Sequence, residues 1–260
     1  LLGSLLDAAS HNRTRGAERI GLFELGAVHL QHGDSTDAPE RITLGDSSTA
    51  LDERLHAGAI VSGTLRSATW REQAPPAVDF FATKSLLEQL ARALRVTLSY
   101  RAEPFPFTAP GQSAVVIIDD EPIGWIGQLH PSVARAWQLP QSYAFEVDLD
   151  KLFARAKRLL KYEAISDQPP LVQDIAVIVA SAVNADQLLH SAAKAGGELL
   201  DGVEVFDIFS GEALGDDKVS VGLRLTFRAS DRTLTDSEVA PLRTAILDQL
   251  ATELEAVARA

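Results

Sequence analysis

The residues best suited to chemistry sit on one strand-like segment, Val219–Arg228. Its alternation is strict: Val221, Leu223, Leu225 and Phe227 share one side, while Ser220, Gly222, Arg224, Thr226 and Arg228 share the other. The second side carries two guanidiniums, and Lys218 and Arg232 flank the same segment. Cations grouped in this way suit phosphate, so Lys218, Arg224, Arg228 and Arg232 are the candidate residues of a small phosphate or RNA contact patch. The competing reading is a solvated face on which these arginines pair with nearby carboxylates, a common and energetically weak arrangement.

Other constellations carry less. His29 and His32 lie three apart, but no third ligand stands at a metal-like spacing. His11, His56 and His190 are isolated, and His130-Pro131 opens a helix, where a histidine caps or packs. The absence of cysteine excludes disulfides, thiolate metal sites and thiol nucleophiles. No Gly-x-Ser-x-Gly elbow occurs. Gly124-Trp125-Ile126-Gly127 lacks the third glycine and the Lys-Ser/Thr of a phosphate loop, so Gly127 reads as relief of crowding in a strand. The acidic run at 211–217 lacks the alternating oxygen ligands and closing Glu of a calcium loop. Asp119-Asp120 and Asp216-Asp217 read as turn chemistry. No set of residues reads as a catalytic or metal site.

The elements that must hold these residues follow from periodicity. In the first part the pattern predicts a helix over 1–12, a strand over 20–30, a loop over 33–50 and a strand over 55–65. A helix over 79–94, strands near 96–102, 113–119 and 122–129, a short helix after Pro131 and a strand near 143–149 follow. Asp119-Asp120-Glu121-Pro122 reads as the tight turn between two of those strands. The later part predicts strands at 174–180, 203–209 and 219–228, with a short last strand within 256–260. Asn184 with Gln187, and Thr235 with Glu238, mark the starts of two helices as capping boxes, and Gly196-Gly197 stops the first helix. Strand-helix-strand-strand-helix-strand is the ferredoxin-like order, with two helices on one sheet face and the other face free for a partner.

The boundary between the parts is expected near Tyr162–Pro170, after a basic amphipathic stretch over 151–160 and at a Pro169-Pro170 pair that forbids helix. The chain has 260 residues, 46% of them hydrophobic, which is enough for a sizeable core without staples. It opens in an apolar run and contains no methionine, so a fragment of a longer protein is expected. No apolar run is long enough for a membrane span, and no basic-then-apolar leader opens the chain. The net charge is −12, and residues 161–260 alone carry −9, which argues against a broad non-specific nucleic-acid surface.

Several runs resemble the beta subunit of bacterial phenylalanine–tRNA ligases. Gly197-Glu198-Leu199-Leu200-Asp201-Gly202-Val203, Phe206-Asp207-Ile208-Phe209, Leu223–Arg228 and Asp231-Arg232-Thr233-Leu234-Thr235-Asp236 are similar to its ferredoxin-fold anticodon-binding domain. Leu22–Gly26, Asp79-Phe80-Phe81, Pro110–Ala114 and Ile123–Pro131 are similar to its catalytic-like module, which has the class II synthetase fold without the catalytic residues. The resemblance implies an α+β protein. A partial class II synthetase-like antiparallel module would occupy 1–160, and a ferredoxin-like βαββαβ domain 165–260. It further implies a non-catalytic role in a cytoplasmic, ATP-dependent ligase. The first part would pack on the alpha subunit in a heterotetramer of two alpha and two beta chains, and the second would bind the anticodon stem-loop of tRNA(Phe). ATP and Mg2+ belong to the whole enzyme, with no cofactor expected in this part. Ala109, Gln112, Gln173 and Ser210 stand where the family pattern usually carries other residues, and Gln173 and Ser210 replace basic ones. A protein-interaction scaffold without RNA binding is the alternative reading.

Overall fold

A computed structural model describes residues 1–31, 51–156, 167–211, 214–215 and 217–259. The predicted loop at 33–50, His32 and most of the expected boundary segment lie outside the described residues. The chain divides into two compact units, Leu1–Leu160 and Lys161–Ala260.

In the first unit α1 (Leu2–Thr14) precedes the antiparallel pair β1 (Ile20–Gln31) and β2 (Leu51–Ser62). Helix α2 (Phe80–Leu94) starts where the Asp79 carboxylate accepts the Ala82 N–H at 2.7 Å, and it ends on left-handed Arg95. Strands β3 (Ser99–Ala102), β4 (Thr108–Ile118) and β5 (Glu121–Leu129) follow, then α3 (Pro131–Ala136), β6 (Ser142–Asp148) and α4 (Leu149–Arg155). The sheet has six strands in the order β1-β2-β6-β5-β4-β3, every pair antiparallel. Leu87, Ala91, Val116, Ile126, Val147 and Leu152 fill one core, which carries the apolar stripe of α2. Leu5, Leu6, Ala9, Ile60 and Ala144 form another, which seats α1.

Three expected boundaries shift for physical reasons. β4 begins at Thr108 because its register with β5 slips between Thr108 and Ser113, where Gly111 adopts φ 71° and carries the strand through Pro110-Gly111. The turn after β4 is shorter than expected, because Asp119 and Asp120 both take positive φ and close a two-residue hairpin. Pro122 therefore lies inside β5, beside a second register slip. Strand β2 stops at Ser62, before Gly63 at φ 90°. His130 acts as a cap, its ring nitrogen accepting the Ser132 N–H at 3.2 Å.

Gly124 on β5 has no room for a side chain, since an added Cβ would lie 2.0 Å from the backbone oxygen of Glu146. Gly124→Ala must separate β5 from β6 and is expected to destabilise the first unit by about 1–3 kcal/mol, read as a lower urea midpoint.

The second unit runs β7 (Leu171–Ala180), α5 (Ala185–Gly196), β8 (Leu200–Phe209), β9 (Lys218–Phe227), α6 (Asp236–Leu254) and β10 (Val257–Ala258). Its antiparallel sheet has the order β10-β7-β9-β8, the ferredoxin-like arrangement. Both helix starts follow the sequence signals. Asn184 and Gln187 exchange side-chain and backbone bonds at 2.9 and 3.0 Å, and the Glu238 carboxylate accepts the Thr235 N–H at 2.9 Å. Gly197 ends α5 at φ 65°. Val177, Val179, Val221, Leu223, Leu225 and Phe227 pack with Leu188, Val239, Ile246 and Leu250 of the helices in one core. No helix among the described residues is long and apolar enough to cross a membrane.

Candidate nucleic-acid interface

With α5 and α6 packed on one side of the second unit's sheet, the other side is set by the alternate residues of its strands. Across that side, Arg224 on β9 pairs with Asp174 on β7 and with Glu204 on β8, and Gly222 pairs with Ala176 on β7. Phe206 shares this face with Glu204, two residues before it, and a bulge between Val205 and Asp207 brings Asp207 and Phe209 to the same face. Gly222 supplies the space for Phe206, because a Cβ there would meet the Phe206 ring at 2.8 Å. The far end of the ring rests over Gly222, yet Phe206 keeps 48% of its surface exposed.

The Arg224 guanidinium sits 5.0 Å from the centre of that ring, within cation–π range. Two of its nitrogens donate to the two Asp174 carboxylate oxygens, each at 2.8 Å. Hydrogen bonds from Arg224 hold the Asp174 carboxyl below its usual range, and Asp174 in turn raises the guanidinium. Because the folded-state pKa is depressed, the stability this pair gives is present above the ordinary carboxylate value, about 3.9. It is lost only as pH falls through the lower folded value. Both partners are exposed, so its main role is orientation.

A second aromatic–arginine pair lies on the same face. The Arg259 backbone N–H donates to the Ala176 oxygen at 2.8 Å, extending the β10 edge. Its guanidinium donates to the Ser220 hydroxyl at 3.3 Å and stands 5.8 Å from the Phe209 ring centre. Val172 and Phe209 are exposed there too.

The four candidate cations do not converge. Lys218 stands at one end of β9 opposite Ala180, exposed and without an ion pair among the described residues. Arg224 lies mid-strand. Arg228 follows the other end, where it donates to Asp201 at 3.2 Å and to the Gln168 backbone oxygen at 3.4 Å. Arg232 sits in the connection to α6, bonded to Glu238 at 3.1 Å and to Asp231 at 3.1 Å. Ten strand residues separate the outer positions by roughly 30 Å, so a ligand touching all four must be macromolecular. Gln173, on the opposite side of β7, donates to Asp236 at the start of α6 at 3.2 Å. Phe209 and Arg259 are the members of the face that alternation alone does not reveal, whereas Phe206 is in step with Glu204.

In the first unit, His56 bonds Glu146 at 2.9 Å, and Arg54 bonds Asp148 at 3.2 Å. These are structural pairings between neighbouring strands. Among the described residues no group of three or more His, Asp or Glu side chains is placed to hold a metal ion.

The class this architecture defines is a ferredoxin-like module with one sheet face bare, carried on the same chain as a six-stranded antiparallel module. The chain belongs to the phenylalanyl-tRNA synthetase beta chain family: residues 1–149 match the family described as phenylalanyl tRNA synthetase beta chain CLM domain. Residues 166–259 match the ferredoxin-fold anticodon binding domain. The whole chain is 34% identical to the phenylalanine–tRNA ligase beta subunit of Shouchella clausii, 33% to that of Bacillus subtilis and 32% to that of Geobacillus kaustophilus, covering 31% of each relative. The chain thus spans about a third of the length of these curated relatives.

Proposed function

We propose that the chain serves as part of the beta subunit of an ATP-dependent, cytoplasmic ligase that attaches phenylalanine to tRNA(Phe). The first unit packs on the alpha subunit in an assembly of two alpha and two beta chains, and the second holds the anticodon stem-loop. The observation that carries the reading is Phe206 seated over Gly222 beside Arg224, an exposed ring and a fixed cation on one sheet face. Unpaired loop bases are bound by stacking on such rings, with guanidiniums meeting their phosphates. An excess of acid elsewhere in the unit suppresses non-specific binding and leaves a local contact. Lys218, Arg228 and Arg232 supply charge at the ends of the face. ATP and Mg2+ serve the catalytic partner, and the chain's own contribution is positioning.

The test is titration of the 260-residue chain with a tRNA(Phe) transcript and an unrelated tRNA at two ionic strengths. Preferential binding of tRNA(Phe), with affinity falling as salt rises, is expected. Equal binding of both, or none, overturns the reading. Asp174 competes with phosphate for Arg224, so Asp174→Asn is expected to raise affinity roughly two- to fivefold at low salt and to lower the melting temperature little.

A scaffold without RNA binding is the second reading. It is favoured by the acidic partners already holding Arg228 and Arg232. It gains if the chain co-purifies with an alpha subunit and shifts no tRNA.

A further inference from the structure

The connection between β2 and α2 is an ordered structure in the first unit, remote in sequence from the ferredoxin-like face. Its ends are tied together, with Leu65 donating to the Pro76 oxygen at 3.0 Å, Val78 to the Gly63 oxygen at 2.9 Å, and Thr64 bridging to Ala77. Arg19 braces it from below. Its guanidinium donates to the backbone oxygens of Thr64 and Leu65 at 3.0 and 2.9 Å and to the Ser67 hydroxyl at 2.8 Å. Arg66 holds the Glu72 carboxylate bidentately at 2.6 and 2.8 Å, and the Thr69 N–H donates to the Glu72 backbone oxygen at 2.8 Å.

The braced connection leaves two large apolar side chains exposed, Leu65 by 47% and, far more fully, Trp70. Trp70 is 83% exposed, and the Arg71 guanidinium stands over its ring at 5.0 Å. A rigid loop that holds an indole in water carries a standing hydrophobic cost, offset only when something covers the ring. The surroundings decide what that is. Ser67, Ala68, Thr69, Arg71 and Gln73, the neighbours of Trp70 in sequence, are small or polar and exposed, not apolar residues of the kind that seal a protein hot spot. Charge points the same way. Glu72 is consumed by Arg66 and Asp79 by the start of α2, while Arg71 and Arg19 have no carboxylate partner among the described residues. Exposed Glu18 beside Arg19 is the remaining acid, so with Glu72 and Asp79 engaged the loop and its brace carry a small cationic excess on a chain of net charge −12.

We propose that this loop is a second RNA contact, in which an unpaired base stacks on Trp70 and its flanking phosphates meet Arg71 within the positive field of Arg19. The contact rests on the reading that the chain acts on tRNA, and it uses residues separate from the Phe206 face.

The experiment compares the 260-residue chain with Trp70→Phe, with Trp70→Ala/Arg71→Ala and with Phe206→Ala. Each is titrated with a tRNA(Phe) transcript, and ultraviolet cross-linking to the same transcript is mapped by mass spectrometry. Loss of one stacked base and one phosphate contact predicts a five- to fiftyfold weaker association for the double variant, about the scale of a single base stack. Trp70→Phe, which keeps a ring, should recover most of the affinity, and adducts should map to Trp70 or Arg71. If Phe206→Ala weakens binding but the double variant binds normally and leaves no adduct at the loop, this proposal is overturned and the anticodon reading stands. If neither change matters, both fall. If the double variant instead loses only an alpha subunit that co-purifies with the chain, the loop is a protein contact and the proposal is likewise overturned.

Discussion

Phe227→Ala is expected to cost the second unit about 3–5 kcal/mol, the range for removing a fully buried phenylalanine. Phe227 has no exposed surface and ends β9, the strand that pairs with both β7 and β8. Its backbone pairs with Leu171 on one side and Leu200 on the other, so the residues bounding the cavity are fixed by the ladders and close over it poorly. A domain of this size has about 5–15 kcal/mol in hand, so the change removes a large fraction of its stability. At roughly 4–8 °C per kcal/mol, calorimetry should show the transition of the second unit falling by on the order of 15–30 °C. The transition of the first unit should stay in place. Val172→Ala, on the exposed face of the neighbouring strand, should move neither by more than about 0.5 kcal/mol. A small shift for Phe227→Ala would mean that the core formed by β9 and α6 does not hold this unit together.

How much of this architecture could be read from the residues depended on whether the signal was local. Asn184 with Gln187 and Thr235 with Glu238 span three positions each, and the bonds between them form as the spacing requires. The alternation of β9 survives intact because no bulge interrupts its register with β7. β8 behaves differently. Its slip between Val205 and Asp207 changes which later residues face outward, so a two-residue period that runs through Glu204 and Phe206 hides Phe209. The same physics moved the start of β4, where Gly111 lets the strand continue past a proline that alone reads as a break. The candidate site was legible by residue type and not by partner. Arg224 and Arg228 could be picked out as cations on one side of a strand, but their carboxylates lie 50 and 27 residues away in the chain. Only strand pairing brings Asp174 beside Arg224. Arg259 was concealed for another reason: it lies beyond a two-residue edge strand, where its placement depends on β10 adding to β7.

The proposed RNA contact of an acidic unit rests on the face together with the charge distribution, and these set the second large effect. A surface that relied on many lysines would lose affinity steeply with salt, about 0.9 in the logarithm per phosphate on a duplex and less on single strands. Here one guanidinium is oriented by Asp174 and stacked against Phe206, so most of the affinity should come from the ring. Phe206→Ala/Arg224→Ala is therefore expected to weaken tRNA(Phe) binding by about 1–3 kcal/mol, roughly five- to 150-fold. Both side chains are substantially exposed and neither belongs to the core, so the melting temperature should change little. Arg224→Ala alone should cost less than Phe206→Ala, because Phe206 keeps its seat on Gly222 without the arginine. The Arg224→Ala/Arg228→Ala pair should weaken tRNA charging through binding, seen as a higher KM for tRNA at unchanged kcat in the assembled enzyme. Gly222→Ala gives an independent check on the geometry. It leaves every charge in place but lifts the ring from the sheet, so it should reproduce most of the Phe206→Ala loss without altering the salt dependence. If instead Gly222→Ala binds normally while Arg224→Ala does not, the affinity is electrostatic and the ring is only a lid on the sheet.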